Sequence, residues 1–204
     1  MDRAEHWESV YANKGDTELS WFQNRAGMSL ELLGAIRPPP RGVVDVGGGQ
    51  SSLAGALLDH GVERVVVLDL APSAIERGRE RLGARAERVQ WLVGDVLDGH
   101  DLGPIDAWHD RAVFHFLTDP QDRVRYTTAA AAALPAGRHA VIATFAQSGP
   151  ETCSGLPVRR YDADTLAAEF GDGFRLVGSA SEEHTTPWGK KQDFVYAVLR
   201  READ

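Results

Sequence analysis

Apolar positions along this chain follow two alternating rhythms. Short runs carrying apolar residues, GVVDVG (42–47), ERVVVLDL (63–70), RVQWLVGD (88–95), IDAWHDR (105–111) and RHAVIATF (138–145), read as strands, the first of them buried. The segments between them have helical chemistry. SSLAGALLDHG stops at Gly61, PSAIERGRERLG (72–83) opens with proline at a first helical position and ends at Gly83, and an alanine-rich stretch near 122–134 is a good helix former. Strands that alternate with helices predict right-handed crossovers and a parallel sheet covered on both faces, a doubly wound α/β fold. The rhythm breaks at the end. FRLVGSASEEHTT and KQDFVYAVLRR are joined only by PWGK, which predicts an antiparallel hairpin at one edge of the sheet.

The N-terminal segment, 1–36, reads as two helices, one with Trp7, Val10 and Tyr11 on a face and one with Met28, Leu32 and Ile36 in a stripe. GDTELSWFQ (15–23) reads as an aromatic loop between them. PPP at 38–40 cannot continue a helix, so it marks the junction between a helical cap (1–40) and a core (41–204) within one expected domain (1–204). A length of 204 residues with 43% hydrophobic content suits one well-buried domain. The net charge of -8 repels phosphate backbones, so no nucleic-acid partner is expected. No run has the length of a membrane span, the start lacks the apolar stretch of a signal peptide, and the single cysteine, Cys153, suits a reducing compartment; a cytoplasmic location away from membranes is expected.

In a doubly wound sheet, ligands sit beyond the carboxyl ends of the strands. Three features gather there. The first strand ends in Gly47, Gly48 and Gly49, a bend where a ligand can lie against main-chain atoms. The second ends in Asp69, 20 residues after Gly49, the separation at which an acid accepts hydrogen bonds from ribose hydroxyls. The third ends in Val-Gly-Asp, which puts Asp95 on the same rim. The dinucleotide fingerprint starting at Gly47 needs a third glycine at Ser52 and fails there. Asp45 instead gives an acid-x-Gly-x-Gly pattern.

At this point the chain resembles the class I S-adenosylmethionine-dependent methyltransferases, with Ser51 in place of their common third glycine. The resemblance implies a Rossmann-like seven-stranded sheet, mostly parallel, whose seventh strand is antiparallel. It implies S-adenosylmethionine as cofactor, with Asp45, Gly47 and Gly49 around the methionine part, Asp69 at the ribose and Asp95 at the adenine, and with Trp21, Gly48, Ser51, Leu70 and Val96 beside them. HWESVYANKG, LSWFQ and WHDRAVFHFL are similar to a group of small bacterial methyltransferases and, more distantly, to elongation-factor lysine methyltransferases. Those show Asp-Lys-Gly where this chain has Asp110-Arg111-Ala112. The Asn-Pro-Pro-Tyr of DNA and glutamine methyltransferases is absent, and so are the several cysteines of arsenic methyltransferases.

An activated methyl group needs alignment, exclusion of water and, for some acceptors, removal of a proton. Asp110, Arg111 and His115 are the candidate catalytic residues, with His109 as another possible base. Trp7, Tyr11, Trp21 and Phe22 form a candidate lid, each aromatic face contributing roughly 0.5–2 kcal/mol to a cation, or else they staple the helices to the sheet. The loop GPETCSGLPVRRYDAD (149–164), with Cys153, Arg159, Arg160 and Tyr161, is expected to face the substrate; the hairpin aromatic Trp188 reads by default as an edge aromatic at a turn, with closure of the pocket's other side as the alternative. No metal is expected. The reading is methyl transfer to a small-molecule acceptor. A protein lysine as acceptor, a non-catalytic cofactor-binding partner protein and a nicotinamide oxidoreductase are the alternatives.

Overall fold

The structure, a computed structural model, describes residues 2–15 and 18–203; Asp16 and Thr17 of the expected aromatic loop, and the terminal Met1 and Asp204, lie outside the described residues. Two helices lead in, α1 (Arg3–Asn13) and α2 (Gly27–Ala35). Then β1 (Gly42–Val46), α3 (Leu53–Asp59), β2 (Arg64–Asp69), α4 (Pro72–Leu82), β3 (Val89–Val93), β4 (Ala107–Arg111), α5 (Pro120–Ala133) and β5 (His139–Phe145) alternate as expected. A two-residue ribbon, β6 (Thr152–Cys153) and β7 (Leu156–Pro157), lies within the 149–164 loop. After it come α6 (Ala163–Glu169), β8 (Phe174–Thr185) and β9 (Lys191–Arg201).

The main sheet has seven strands in the order β3-β2-β1-β4-β5-β9-β8. Strands β3 to β5 are mutually parallel, and β9 runs antiparallel to both β5 and β8. The expected edge hairpin is therefore present, with β8 outermost. The order reverses between β1 and β4, which opens a crevice at their carboxyl ends.

Strand alternation divides the core in two. Val44, Val46, Leu68, Trp108 and Ile142 face α5 and α6, packing with Tyr126, Ala130, Leu166 and Phe170. Val43, Val65, Val67, Ala107 and Val141 face the other way, onto Leu33, Leu57, Ile75 and Leu82 of α2, α3 and α4. The stripe of α2 differs from the sequence expectation by about one residue. Its buried positions are Ser29 and Leu33, flanked by Ala26 and Ile36, while Met28 and Leu32 are half-buried. The polar Ser29 occupies a core position because it has a buried partner, His109.

Helix α1 is held across the carboxyl end of the sheet. Glu8 accepts from the backbone N–H and hydroxyl of Ser73 (3.1 and 3.0 Å), at the start of α4, and Arg77 donates to the Tyr11 carbonyl at 2.6 Å. Tyr11, Leu19, Ala71 and Ala74 form a small third core here, covered by Trp7, Trp21 and Phe22.

Candidate active site

Two adjoining cavities lie at the switch point. The first, about 780 Å³ including its mouth, is bounded by Asp69, Leu70, Asp95 and Val96 from the ends of β2 and β3, by Arg3, Trp7 and Tyr11 from α1, and by Val113, Phe116 and Cys153. The second, about 570 Å³ on the same measure, is bounded by Ser29, Asp45, Gly48, Ser51 and His109. Tyr11, Trp21, Val46, Gly47 and Arg111 are common to both walls. Pockets of this size suit a ligand of nucleoside dimensions or larger. Of the ten residues expected to bind cofactor, only Gly49 lines neither.

Each acid is held by a different local device. Asp69, 6% exposed, accepts from the backbone N–H of Gly49 (3.0 Å) and of Ala71 (2.9 Å). Burial lifts its carboxyl to about 6, against the opposing pull of those bonds. Asp95 caps the turn after β3 through the Leu97 N–H at 2.9 Å and pairs with Arg3 at 3.2 Å. Asp45 sits in β1 directly beside His109 of β4, and both side chains point toward α2. His109 Nδ1 lies 2.7 Å from Asp45 Oδ1, Ser51 Oγ donates to Asp45 Oδ2 at 2.9 Å, and His109 Nε2 lies 2.9 Å from Ser29 Oγ. An ionised carboxylate only accepts, so Nδ1 donates to Asp45, and in the neutral ring Nε2 accepts a hydrogen bond from the Ser29 hydroxyl.

The glycine bend also answers to the chain's own packing. Gly47 lines both cavities at φ +66°, a conformation that disfavours a side chain. At Gly49 a Cβ would lie 2.6 Å from the Ala74 Cβ and 2.8 Å from Asp69 Oδ2, and a Cβ at Gly48 would overlap the Asp45 carboxylate. These two glycines make room for the chain's own α4 and acids.

Two of the expected catalytic residues do not line either cavity. Asp110 is fully buried and bounds neither cavity; it accepts from the N–H groups of Val113 (2.8 Å) and Phe114 (3.0 Å) and from Tyr126 (2.5 Å). Its neighbour in β4, His109, turns toward α2, so alternation sends Asp110 to α5. Burial raises its carboxyl to about 6. His115 is also fully buried and outside both cavities. Its Nδ1 accepts from the Phe145 N–H at 3.3 Å, and burial lowers it to about 3, so it stays neutral in the core. Arg111 does reach both cavities. Its guanidinium lies over the Phe194 ring (4.1 Å to the centroid) and donates to Tyr196 Oη (3.1 Å), the Trp21 carbonyl (3.2 Å) and Glu182 (3.3 Å).

Of the expected lid, Trp7 packs edge-on against both Trp21 and Phe116, at 5.7 and 4.9 Å between centroids, and Phe22 contacts only the second cavity. Of the 149–164 loop, only Cys153 lines either of the two cavities. Arg159 and Arg160 pair with Glu169 and Glu151, Tyr161 is buried in the core, and Trp188 is 57% exposed, away from both cavities. Sequence reasoning missed Arg3, Ser29 and Phe116. Ser29 had a signal, a lone polar residue on an apolar helix face; Phe116 had one in its alternation with His115; Arg3 had none.

Residues 43–137 match the family described as the methyltransferase domain. That stretch of the chain is similar to a methyltransferase domain. Curated relatives are the eEF1A lysine and N-terminal methyltransferases of Mus musculus, 29% identical over 96 residues (46% of this chain), and of Bos taurus, 30% over 95 residues (45%). The chain spans only 13% of the length of either. The domain's fold is that of S-adenosylmethionine-dependent methyltransferases. The N-methyltransferase NodS from Bradyrhizobium japonicum WM9, solved with S-adenosyl-L-homocysteine, superposes with a TM-score of 0.76 at 16% identity, over 99% of this chain and 100% of that one. A structure solved for the conversion of a disulfide bond into a thioacetal group during echinomycin biosynthesis gives 0.78 at 21% identity, over 98% and 92%. Among the described residues, no helix is long and apolar enough to cross a membrane, and no cluster of His, Cys, Asp and Glu has the makings of a metal site.

Proposed function

We propose that this chain transfers the methyl group of S-adenosylmethionine to a small-molecule acceptor in the cytoplasm. The observation that carries the reading is the convergence of Asp45, Asp69 and Asp95 on two adjoining cavities beneath α1. The residues present fit the cofactor. Asp69 keeps lone pairs beyond its two backbone bonds for the ribose hydroxyls, and Asp95 lies on the same cavity wall for the adenine amino group. Asp45, steadied by His109 and Ser51, offers a negative charge to the methionine ammonium in the second cavity. When bound, the cofactor supplies a methyl group already activated on a sulfonium. Trp7, Tyr11, Trp21 and Phe116 wall the site with aromatic surface, exclude water and present ring faces to positive charge. Arg111, anchored at four points, holds the Trp21 backbone against the junction of the two cavities.

The curated relatives favour a protein amine as the second reading. Calorimetry with S-adenosylmethionine, S-adenosylhomocysteine and NAD tests the cofactor, and binding of NAD alone would overturn it. Incubation with methyl-labelled cofactor and cell extract, fractionated into small molecules and protein, tests the acceptor class; label confined to protein would favour the second reading.

A further inference from the structure

Deepening the reading above, and resting on it, we propose that the acceptor is a small thiol on an apolar body, reacting as its thiolate in front of Arg111. Tyr11, Trp21, Val46, Gly47 and Arg111, shared by both cavities, mark where the nucleoside and amino-acid halves of the cofactor meet. The reacting methyl group belongs there.

Among the described residues, no group at this junction is free to take a proton. Tyr11 is a buried phenol, pushed well above its usual range by desolvation and by the nearby Asp69. The Cys153 thiol is also raised by burial. Asp45 and both ring nitrogens of His109 are engaged with one another and with Ser51 and Ser29. Asp69 is committed to the ribose hydroxyls in the reading above, Asp95 holds Arg3 and the Leu97 N–H, and His115 lies outside the cavities. The acceptor must therefore lose its proton to solvent before transfer. A lysine amine, with a pKa of about 10.4, is almost wholly protonated near neutral pH; an aliphatic hydroxyl is far weaker as an acid. A thiol, at about 8.5, already supplies a few per cent of thiolate, and that anion is intrinsically a strong nucleophile.

The electrostatics point the same way. Arg111 lines both cavities, while its partner Glu182 lines neither, so the cation of the pair faces the site and the carboxylate stands behind it. A guanidinium in that place favours an anionic nucleophile such as a thiolate, which also offsets the sulfonium charge. Trp7, Trp21 and Phe116 supply the apolar wall for the rest of the molecule. In the transfer, the thiolate lone pair forms the new sulfur–carbon bond as the methyl–sulfonium bond breaks. The released electron pair stays on the cofactor sulfur, giving a neutral thioether there and a methyl thioether as product.

Benzyl mercaptan, benzyl alcohol and benzylamine share one apolar body and differ in the nucleophile, so they serve as probes with methyl-labelled cofactor. Label should enter benzyl mercaptan at least tenfold faster than either of the others. Its kcat/KM should rise with pH through the thiol's own ionisation, and the midpoint should move to lower pH with thiophenol, a more acidic thiol. The midpoint in kcat, which reports the bound thiol, should lie at higher pH in Arg111→Met than in Arg111→Lys. Equal or faster methylation of the amine or alcohol, one midpoint for both thiols, or methylation of neither thiol by protein that binds S-adenosylmethionine in calorimetry would overturn the proposal. Failure to bind the cofactor at all would overturn the reading beneath it.

Discussion

Replacing His109 with phenylalanine keeps a ring of similar size in the core and removes both of its polar contacts. Asp45 Oδ1 then loses its donor at 2.7 Å, and Ser29 Oγ loses its partner at 2.9 Å. Asp45 is only 2% exposed, so water cannot readily replace the imidazole N–H. A hydrogen bond to a charged group contributes about 1.5–3 kcal/mol. Ser51 still holds Oδ2 at 2.9 Å, which limits the movement of the carboxylate and argues for the lower half of that range. If the loss falls on the orientation of Asp45, at about 1.4 kcal/mol per factor of ten, affinity for S-adenosylhomocysteine should fall roughly tenfold. Ser29→Ala, one bond further away, should weaken it less. Titration calorimetry on variants whose near-ultraviolet circular dichroism matches the parent measures both. Unchanged affinity in folded His109→Phe, or a larger loss in Ser29→Ala, would refute the idea that His109 acts through Asp45.

Three more outcomes follow from the geometry. Asp69, raised to about 6, accepts ribose hydroxyls far more strongly when ionised, so S-adenosylhomocysteine should bind up to roughly tenfold more weakly at pH 5 than at pH 8; Asp69→Asn should bind weakly and lose that slope, and a slope that persists would assign it to another group. Asp110 is likewise raised to about 6, so its folded form holds a proton that the unfolded chain releases near 4; its contribution is greatest below pH 4 and declines as pH rises to 6. The stability difference between the parent and Asp110→Asn should therefore shift toward the variant by up to roughly 3 kcal/mol across that window, read by denaturant unfolding, and a constant difference would contradict the buried placement. Gly49→Ala should lower the melting temperature of the cofactor-free protein, because the new methyl meets Ala74 and Asp69; an unaltered melting temperature with weakened cofactor binding would restore the view that this glycine exists for the ligand.

The strands and their order of appearance were legible because each is a short run between helix-forming segments, set off by glycine, proline or acid, and the terminal pair stood out by lacking a helix between its members. The acids Asp45, Asp69 and Asp95 were legible from spacing, since a parallel sheet brings successive strand ends to one rim whatever the side chains do. The parity of β4 was not. His109 and Asp110 are adjacent, and only the register against β1, which sets His109 beside Asp45, decides which of them faces α2 and which faces α5. The same gap explains the displaced stripe of α2, whose polar core residue Ser29 gains its buried partner only from His109. The cause of the glycines at 48 and 49 depends on the approach of α4 and the acids, a tertiary fact with no local signature.

The central claim is that one ligand bridges the two cavities, and a crystal structure grown with S-adenosylhomocysteine tests it most directly. The account predicts the ribose against Asp69, the adenine beside Asp95 and Val96, and the amino-acid end over Asp45, with the sulfur between Trp21 and Arg111. Density for the ligand in any other place, or in a single cavity with Asp45 left uncontacted, would contradict it.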